Sequence, residues 1–372
     1  MQFPLKKGLL FLLVLATVAP LGACHKEPVR LGFVGGITGK VADLGVAGRN
    51  GVMLAVEQKN AGGGVNGRPV ELLIRDDGQN PDVARQAVAE LIGRNLEIII
   101  GPMTSNIAMA AVPLVNASET IMLSPTVTTT ELVGKDDNFL RVISTTRDYA
   151  GKSARYQAET LGHRTVAAIY DLDNRSYTES WINDFRTTFE SLGGRMVGAK
   201  GFRSGDDIVF SHAVKELLAT RPDVVLIVCN VVDAAVVCQQ VRRLNRSQPI
   251  AMAEWASTER FIELTGEAAE DVHVSQFLDR NDRSERYQNF CRAYRERFGQ
   301  EAGFAGMAGY DAATVALEAL ARQRSGTSLK ETILAVRTFP GVQQTITIDR
   351  FGDADRRTFV TMIRNGQYVT KE

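Results

Sequence analysis

What most limits how this chain can fold is a repeated alternation along its length. Short runs that are almost wholly apolar and rich in Val and Ile are each followed by a segment whose apolar residues recur at helical spacing. Strands are expected at 29–35, 70–75, 96–100, 120–123, 164–170, 196–202 and 223–229. Helices are expected at 46–61, 81–94, 105–116, 177–192, 207–220 and 233–245. A strand that is apolar on both sides must be covered on both faces, which is the situation of parallel sheets clothed by crossover helices. The fold class is therefore α/β. A long helical stretch follows at 284–298 and 305–322, and strand character returns at 345–348 and 359–363. No low-complexity linker interrupts the series, so two such sheets are expected to be joined by short crossings.

The first two dozen residues lie outside this pattern. Lys6 and Lys7 precede an apolar run at 9–19, shorter than the roughly 20 residues a spanning helix needs. Leu21-Gly22-Ala23-Cys24 then sets small residues directly before a cysteine. Basic, apolar and small-residue parts in that order mark a secretory signal. The last part resembles the lipobox of bacterial lipoproteins, whose cysteine is acylated. Residues 1–23 would then be a signal peptide, and Cys24 would hold the protein on a membrane of the cell envelope. It would face the periplasm, or the outer surface of a single-membrane cell. The short stretch 25–28 reaches less than about 20 Å, which keeps the first strand close to that membrane.

Several function classes are excluded by what the motifs lack. Lys and Arg number 43 and so do Asp and Glu, so no net field recruits nucleic acid. Gly62-Gly63-Gly64-Val65-Asn66-Gly67 has the spacing of a dinucleotide fingerprint but follows a helix and precedes a strand, the reverse of what pyrophosphate binding requires. Gly35-Gly36-Ile37-Thr38-Gly39-Lys40 lacks both the leading glycine and the Ser or Thr of a phosphate loop. The 4 histidines have no metal-ligand spacing, and no strand-turn-helix serine elbow occurs. No catalytic residue, metal or cofactor is expected. Cys229 and Cys238 sit in apolar runs where buried thiols are the common outcome, although a bridge between them stays open.

In open parallel sheets ligands collect at the carboxyl ends of strands, where loops enter helices. Two such ends carry small hydroxyl residues: Thr104-Ser105 after the run at 98–100, and Ser124-Pro125-Thr126-Val127-Thr128 after the run at 121–123. Hydroxyls and free N–H groups at a helix start suit a carboxylate. The same residue types serve as plain N-caps, and spacing alone does not separate the two.

At these residues the chain resembles a known family. Gly36-Ile37-Thr38-Gly39, the 60–69 segment, Asp76-Asp77, Gly101-Pro102-Met103-Thr104-Ser105, Ser124-Pro125, Ser176-Tyr177, Tyr310-Asp311-Ala312 and Asp349-Arg350-Phe351-Gly352-Asp353 occur in the order seen in branched-chain (Leu/Ile/Val-type) amino-acid-binding periplasmic proteins. The resemblance implies a type I periplasmic-binding fold: two Rossmann-like lobes joined by three hinge crossings, with the ligand between them. It implies lobe boundaries of 29–146 plus 278–340, and 147–277 plus 341–372. It also implies a monomer that passes its ligand to an ABC-transporter permease.

By position, Ser105 and the N–H of Thr128 would take the ligand carboxylate. The carbonyl of Thr126, the hydroxyl of Thr128 and Glu254 would take its ammonium, and Tyr177 would cover it. Thr104, Val127, Leu44 and Val231 complete the expected lining. Leu44 and Val231 stand where relatives carry aromatics, so a wider, more aliphatic pocket is expected. An aromatic acid without an ammonium is the alternative ligand, and a sensor lobe for a receptor the alternative role.

Overall fold

The computed structural model describes residues 27–39, 42–204 and 209–372. Two parallel sheets are wound in the same order. In the first lobe β1 (Val29–Gly35), β2 (Val70–Asp76), β3 (Ile98–Ile100), β4 (Ile121–Ser124) and β5 (Phe139–Arg141) stand as β2-β1-β3-β4-β5. In the second, β6 (Thr165–Asp171), β7 (Arg195–Phe202), β8 (Val224–Val228), β9 (Ile250–Met252) and β10 (Val272–Gln276) stand as β7-β6-β8-β9-β10. Every neighbouring pair within these two sets is parallel. β11 (Thr338–Pro340), β12 (Thr345–Ile348) and β13 (Ala354–Asp355) make a small antiparallel sheet. The hairpin of β14 (Phe359–Arg364) and β15 (Gln367–Thr370) extends the second sheet beyond β10.

The helices clothe both faces, as the all-apolar strands require. α1 (Asp43–Ala61) covers one face of the first sheet, and α2 (Pro81–Gly93) and α3 (Ser105–Asn116) the other. In the second lobe α4 (Thr146–Arg155) and α5 (Arg175–Ser191) lie on one side. α6 (Phe210–Ala219), α7 (Val231–Leu244) and α8 (Glu259–Thr265) lie on the other. The expected start of α6 at Asp207 lies outside the described residues. α9 (Glu285–Phe298), α10 (Gly303–Arg322) and α11 (Leu329–Val336) return to the first lobe. α10 crosses α1 so closely that a Cβ on Gly51 would lie 2.0 Å from the Gly306 carbonyl oxygen. Local chemistry sets the helix starts. Pro81 fits the first turn of α2, and Asn80 Oδ1 accepts from the N–H groups of Asp82 (2.8 Å) and Val83 (3.3 Å). Gly62–Gly67 is a turn between α1 and β2, as its order in the chain implies; Gly64 has φ +76°, and a Cβ there would meet the Arg68 carbonyl oxygen at 1.9 Å.

The chain passes between the lobes at 142–145, 277–284 and 356–358. Ser144 Oγ–H donates to the Arg356 carbonyl (3.1 Å) and the Arg356 N–H donates back to Ser144 Oγ (2.7 Å), tying the first and third crossings. Gln344 Nε2 donates to the carbonyls of Phe277 (2.8 Å) and Arg357 (3.1 Å), adding the second. Residues 341–355, expected with the second lobe, are held by the first instead. Val342 N–H donates to Asp311 Oδ1 on α10 (2.8 Å), Gly134 N–H to Asp353 Oδ2 (2.7 Å), and Arg141 N–H to the Gly352 carbonyl (2.9 Å). Cys229 and Cys238 are buried thiols with no bridge between them.

Candidate functional site: a cavity between the lobes

The carboxyl ends of the two parallel sheets face one another, and the loops that leave them line a cavity whose atom-free space, open solvent included, is about 310 Å³. The first lobe contributes Leu44 from α1, Met103 and Thr104 from the loop after β3, Ser105 at the start of α3, Thr126 and Thr128 from the loop after β4, and Phe304 from α10. The second contributes Asn174 before α5, Tyr177 in its first turn, and Glu254 and Trp255 after β9. Ile143, on the first crossing, closes the remaining side.

The loop after β4 owes its shape to hydroxyl groups. Ser124 Oγ–H donates to the Pro102 carbonyl (2.8 Å) and accepts from Val127 N–H (3.1 Å), while Thr126 Oγ1–H donates to the Met103 carbonyl (2.6 Å). The two hydroxyl-bearing loops are thereby fastened together. Ser105 Oγ accepts from Thr129 N–H at 3.4 Å, a long contact. Thr128 Oγ1, by contrast, is buried and has no hydrogen-bond partner among the described residues. An orphan hydroxyl costs stability unless something satisfies it.

On the facing wall Glu254 is 3% exposed. Its Oε2 accepts from the Trp181 indole N–H at 2.9 Å. Burial pushes its carboxyl up to about 7, against the opposing pull of its own backbone N–H, the Trp181 indole and the Tyr177 hydroxyl. No Lys or Arg among the described residues makes an ion pair with it. The Tyr177 hydroxyl is buried beside Glu254 without a well-formed hydrogen bond, and burial holds it well above the ordinary phenol range. Tyr177 and Trp255 meet edge to face at 5.7 Å. The cavity thus offers one unsatisfied hydroxyl on the first wall, a cation-free carboxyl with the Tyr177 hydroxyl on the other, and an apolar remainder. That set can hold a small solute with a polar head and an apolar body.

The lobes also touch directly around the rim. Asn106 N–H donates to Asn174 Oδ1 (3.0 Å), Thr130 N–H to Ser180 Oγ (3.1 Å) and Thr258 Oγ1–H to Asp43 Oδ2 (3.3 Å). The arrangement is therefore closed.

Of the nine lining residues expected from sequence, Leu44, Thr104, Ser105, Thr126, Thr128, Tyr177 and Glu254 line the cavity. Val127 and Val231 do not. Val127 alternates away from its two threonine neighbours into the apolar layer under α2 and α3. Val231 opens α7 and faces the core on the far side of the second sheet. The expectation of a wide aliphatic pocket is corrected too, because Trp255, next to the expected Glu254, and Phe304, from α10, bring aromatic rings into the lining. Asn174, Ile143 and Met103 were also missed. Met103 lay inside a quoted motif, and Asn174 stands at a helix start where Asn is a usual cap.

Residues 28–367 match a family model described as periplasmic binding protein. A leucine-, isoleucine-, valine-, threonine- and alanine-binding protein of Pseudomonas aeruginosa is 25% identical over 181 residues, 48% of each chain. The match spans about half the length of such curated relatives. A leucine-binding protein of Thermotoga maritima has a solved structure with TM-score 0.85 and 26% identity, covering 92% of this chain and 98% of that one. A solute-binding protein of Rhodopseudomonas palustris, solved with 3,4-dihydroxybenzoic acid, shares the fold at TM-score 0.83 and 20% identity, covering 93% and 97%.

Proposed function

The chain belongs to the periplasmic binding protein family, and from that premise we propose that it captures a small apolar L-amino acid outside the cytoplasm and delivers it to an ABC-transporter permease. The observation that carries this reading is the pairing of Thr128 Oγ1, buried and unpartnered, with Glu254, buried with no cation against it. Both can act as acceptors, and an ammonium held between the walls satisfies them together. Ser105 and the Thr128 N–H take the carboxylate at the start of α3; Thr128 Oγ1, the Thr126 carbonyl and Glu254 take the ammonium. Leu44, Met103, Ile143, Trp255 and Phe304 leave an apolar space for the side chain. The amino acids named for the Pseudomonas and Thermotoga relatives are of this kind.

Capture follows from two half-sites. The first lobe binds the head of the ligand, and closure adds Tyr177 and Glu254 and expels water, which strengthens the polar contacts. The ligand shifts the open–closed equilibrium only by its preference for the closed form. The reading is of a monomeric binder, not an enzyme, and it includes an envelope location with Cys24 as the lipid attachment point.

A second reading is favoured by the carboxyl of Glu254 at about 7. Below that pH it is protonated and can donate to an aromatic acid lacking an amine, the class of ligand in the Rhodopseudomonas structure. A thermal-shift screen against L-amino acids and benzoic acids, run at pH 6 and pH 8.5, separates the two. An amino acid that stabilises more strongly at the higher pH supports the first reading. Stabilisation by benzoic acids alone, stronger at the lower pH, replaces it with the second. A ligand at a hundred times its dissociation constant stabilises by about 2.7 kcal/mol, so a hit is plain.

A further inference from the structure

Behind the cavity an aromatic column runs along one face of α5. Tyr177 lines the cleft, and Trp181, Phe185 and Phe189 follow at successive helical turns. Trp181 stacks on Phe185 (5.7 Å, 15°) and Phe185 on Phe189 (5.3 Å, 27°), and all three are fully buried. The column leaves the indole little freedom to turn. Its N–H meets Glu254 Oε2 at 2.9 Å.

An indole N–H donates and never accepts. Whatever the protonation state of Glu254, the oxygen facing Trp181 must accept, and since a carbonyl oxygen accepts better than a carboxyl O–H, the exchangeable proton is favoured on the other oxygen. We propose that Trp181 is a positioning residue of the cleft, whose indole pins one oxygen of Glu254 so that the other alone meets the cationic group of the ligand. This rests on the amino-acid reading above. The groups that face Glu254 are few: Tyr177 and Trp181 from α5 and Tyr149 from α4, with Cys229 near Tyr177. Arg356 acts on Tyr149, and its guanidinium is committed to Asp311 at 2.7 Å. Among the described residues Trp181 is thus the one side-chain N–H that favours the ionised form of Glu254.

Trp181→Phe keeps an aromatic ring in the column and removes only the donor. The test is the affinity of the purified protein for L-leucine between pH 6 and 9, by calorimetry. The variant is expected to bind about fivefold more weakly at pH 7 and about tenfold more weakly at pH 6, and to recover nearly all of that by pH 9, as the titration moves up by about one unit. A loss equal at every pH, or no loss, overturns the proposal. A second readout needs no variant. The ¹⁵N–¹H resonance of the Trp181 indole in the unliganded wild type should shift with pH around neutrality and stop shifting once L-leucine saturates the site. An indole resonance insensitive to pH overturns the proposal. If the wild type does not bind L-leucine while the indole still titrates, the ligand assignment fails and the positioning of Glu254 stands.

Discussion

Arg141 Nε lies 2.8 Å from Asp353 Oδ1, and the arginine side chain is wholly buried beneath the loop that carries Thr126 and Thr128. Its Nη1 donates to the carbonyls of Val127 (3.3 Å) and Thr129 (3.0 Å), one on each side of Thr128. The Asp349–Asp353 turn, distant in sequence, therefore fixes the wall of the cleft through one guanidinium. Removing one partner of a buried pair leaves an uncompensated charge. Asp353→Ala is expected to destabilise the protein by about 3 kcal/mol and to weaken ligand binding by loosening the loop. Urea denaturation and calorimetry measure the two effects. A variant with wild-type stability would show that the pair contributes nothing.

Thr128→Val tests the orphan hydroxyl. In the unliganded protein its removal takes away a buried polar atom that has no partner, so the melting temperature should stay level or rise. Binding should weaken by about 1–2 kcal/mol, roughly five- to thirtyfold. Stability and affinity falling together would assign Thr128 to packing instead.

How much of this was readable beforehand follows from what each element needs. β3 and β8 are buried at every position, so their runs of Ile and Val stand out without context. β5 is Phe-Leu-Arg, and its buried arginine reads as a polar stop unless Asp353 is known to be beside it. α4 is mostly polar and has no apolar stripe to betray it, although the Thr145–Asp148 capping box was present in the sequence as a start signal. In the cleft, most residues inside recognisable loops were found, Met103 excepted. Phe304 was not, because it enters on α10, whose approach is decided by the packing of the lobes; Trp255 was missed although it directly follows Glu254, because spacing does not say which way its ring turns.

Cys24→Ser tests the anchor. Cys24 lies outside the described residues, and among those described no helix is long and apolar enough to cross a membrane. The proposed membrane attachment would be through acylation at that cysteine. The variant should appear in the soluble envelope fraction while the wild type sediments with membranes. Sedimentation of both would refute the lipid attachment.

The carboxyl of Glu254 gives the unliganded protein a pH dependence with a definite sign. Its ordinary value is 4.5, and burial raises it to about 7 in the folded state. Between those values the folded state binds more protons than the unfolded one, so stability falls as pH rises. The contribution is fully present below about 4.5, is lost as pH passes through about 7, and is constant above it. From the size of the shift the loss is about 3 kcal/mol. Asp77 and Asp171, each raised by burial to about 6, add the same trend over a narrower window. Glu254→Gln isolates the first contribution, since its amide oxygen still accepts from Trp181. The stability of the wild type minus that of the variant should decline from pH 4.5 to 7 and then level, while the variant loses at least tenfold in affinity for an L-amino acid. A difference that does not change with pH would mean that Glu254 is not desolvated as the closed cleft requires. An amino acid that binds the variant as tightly as the wild type would remove Glu254 from the site.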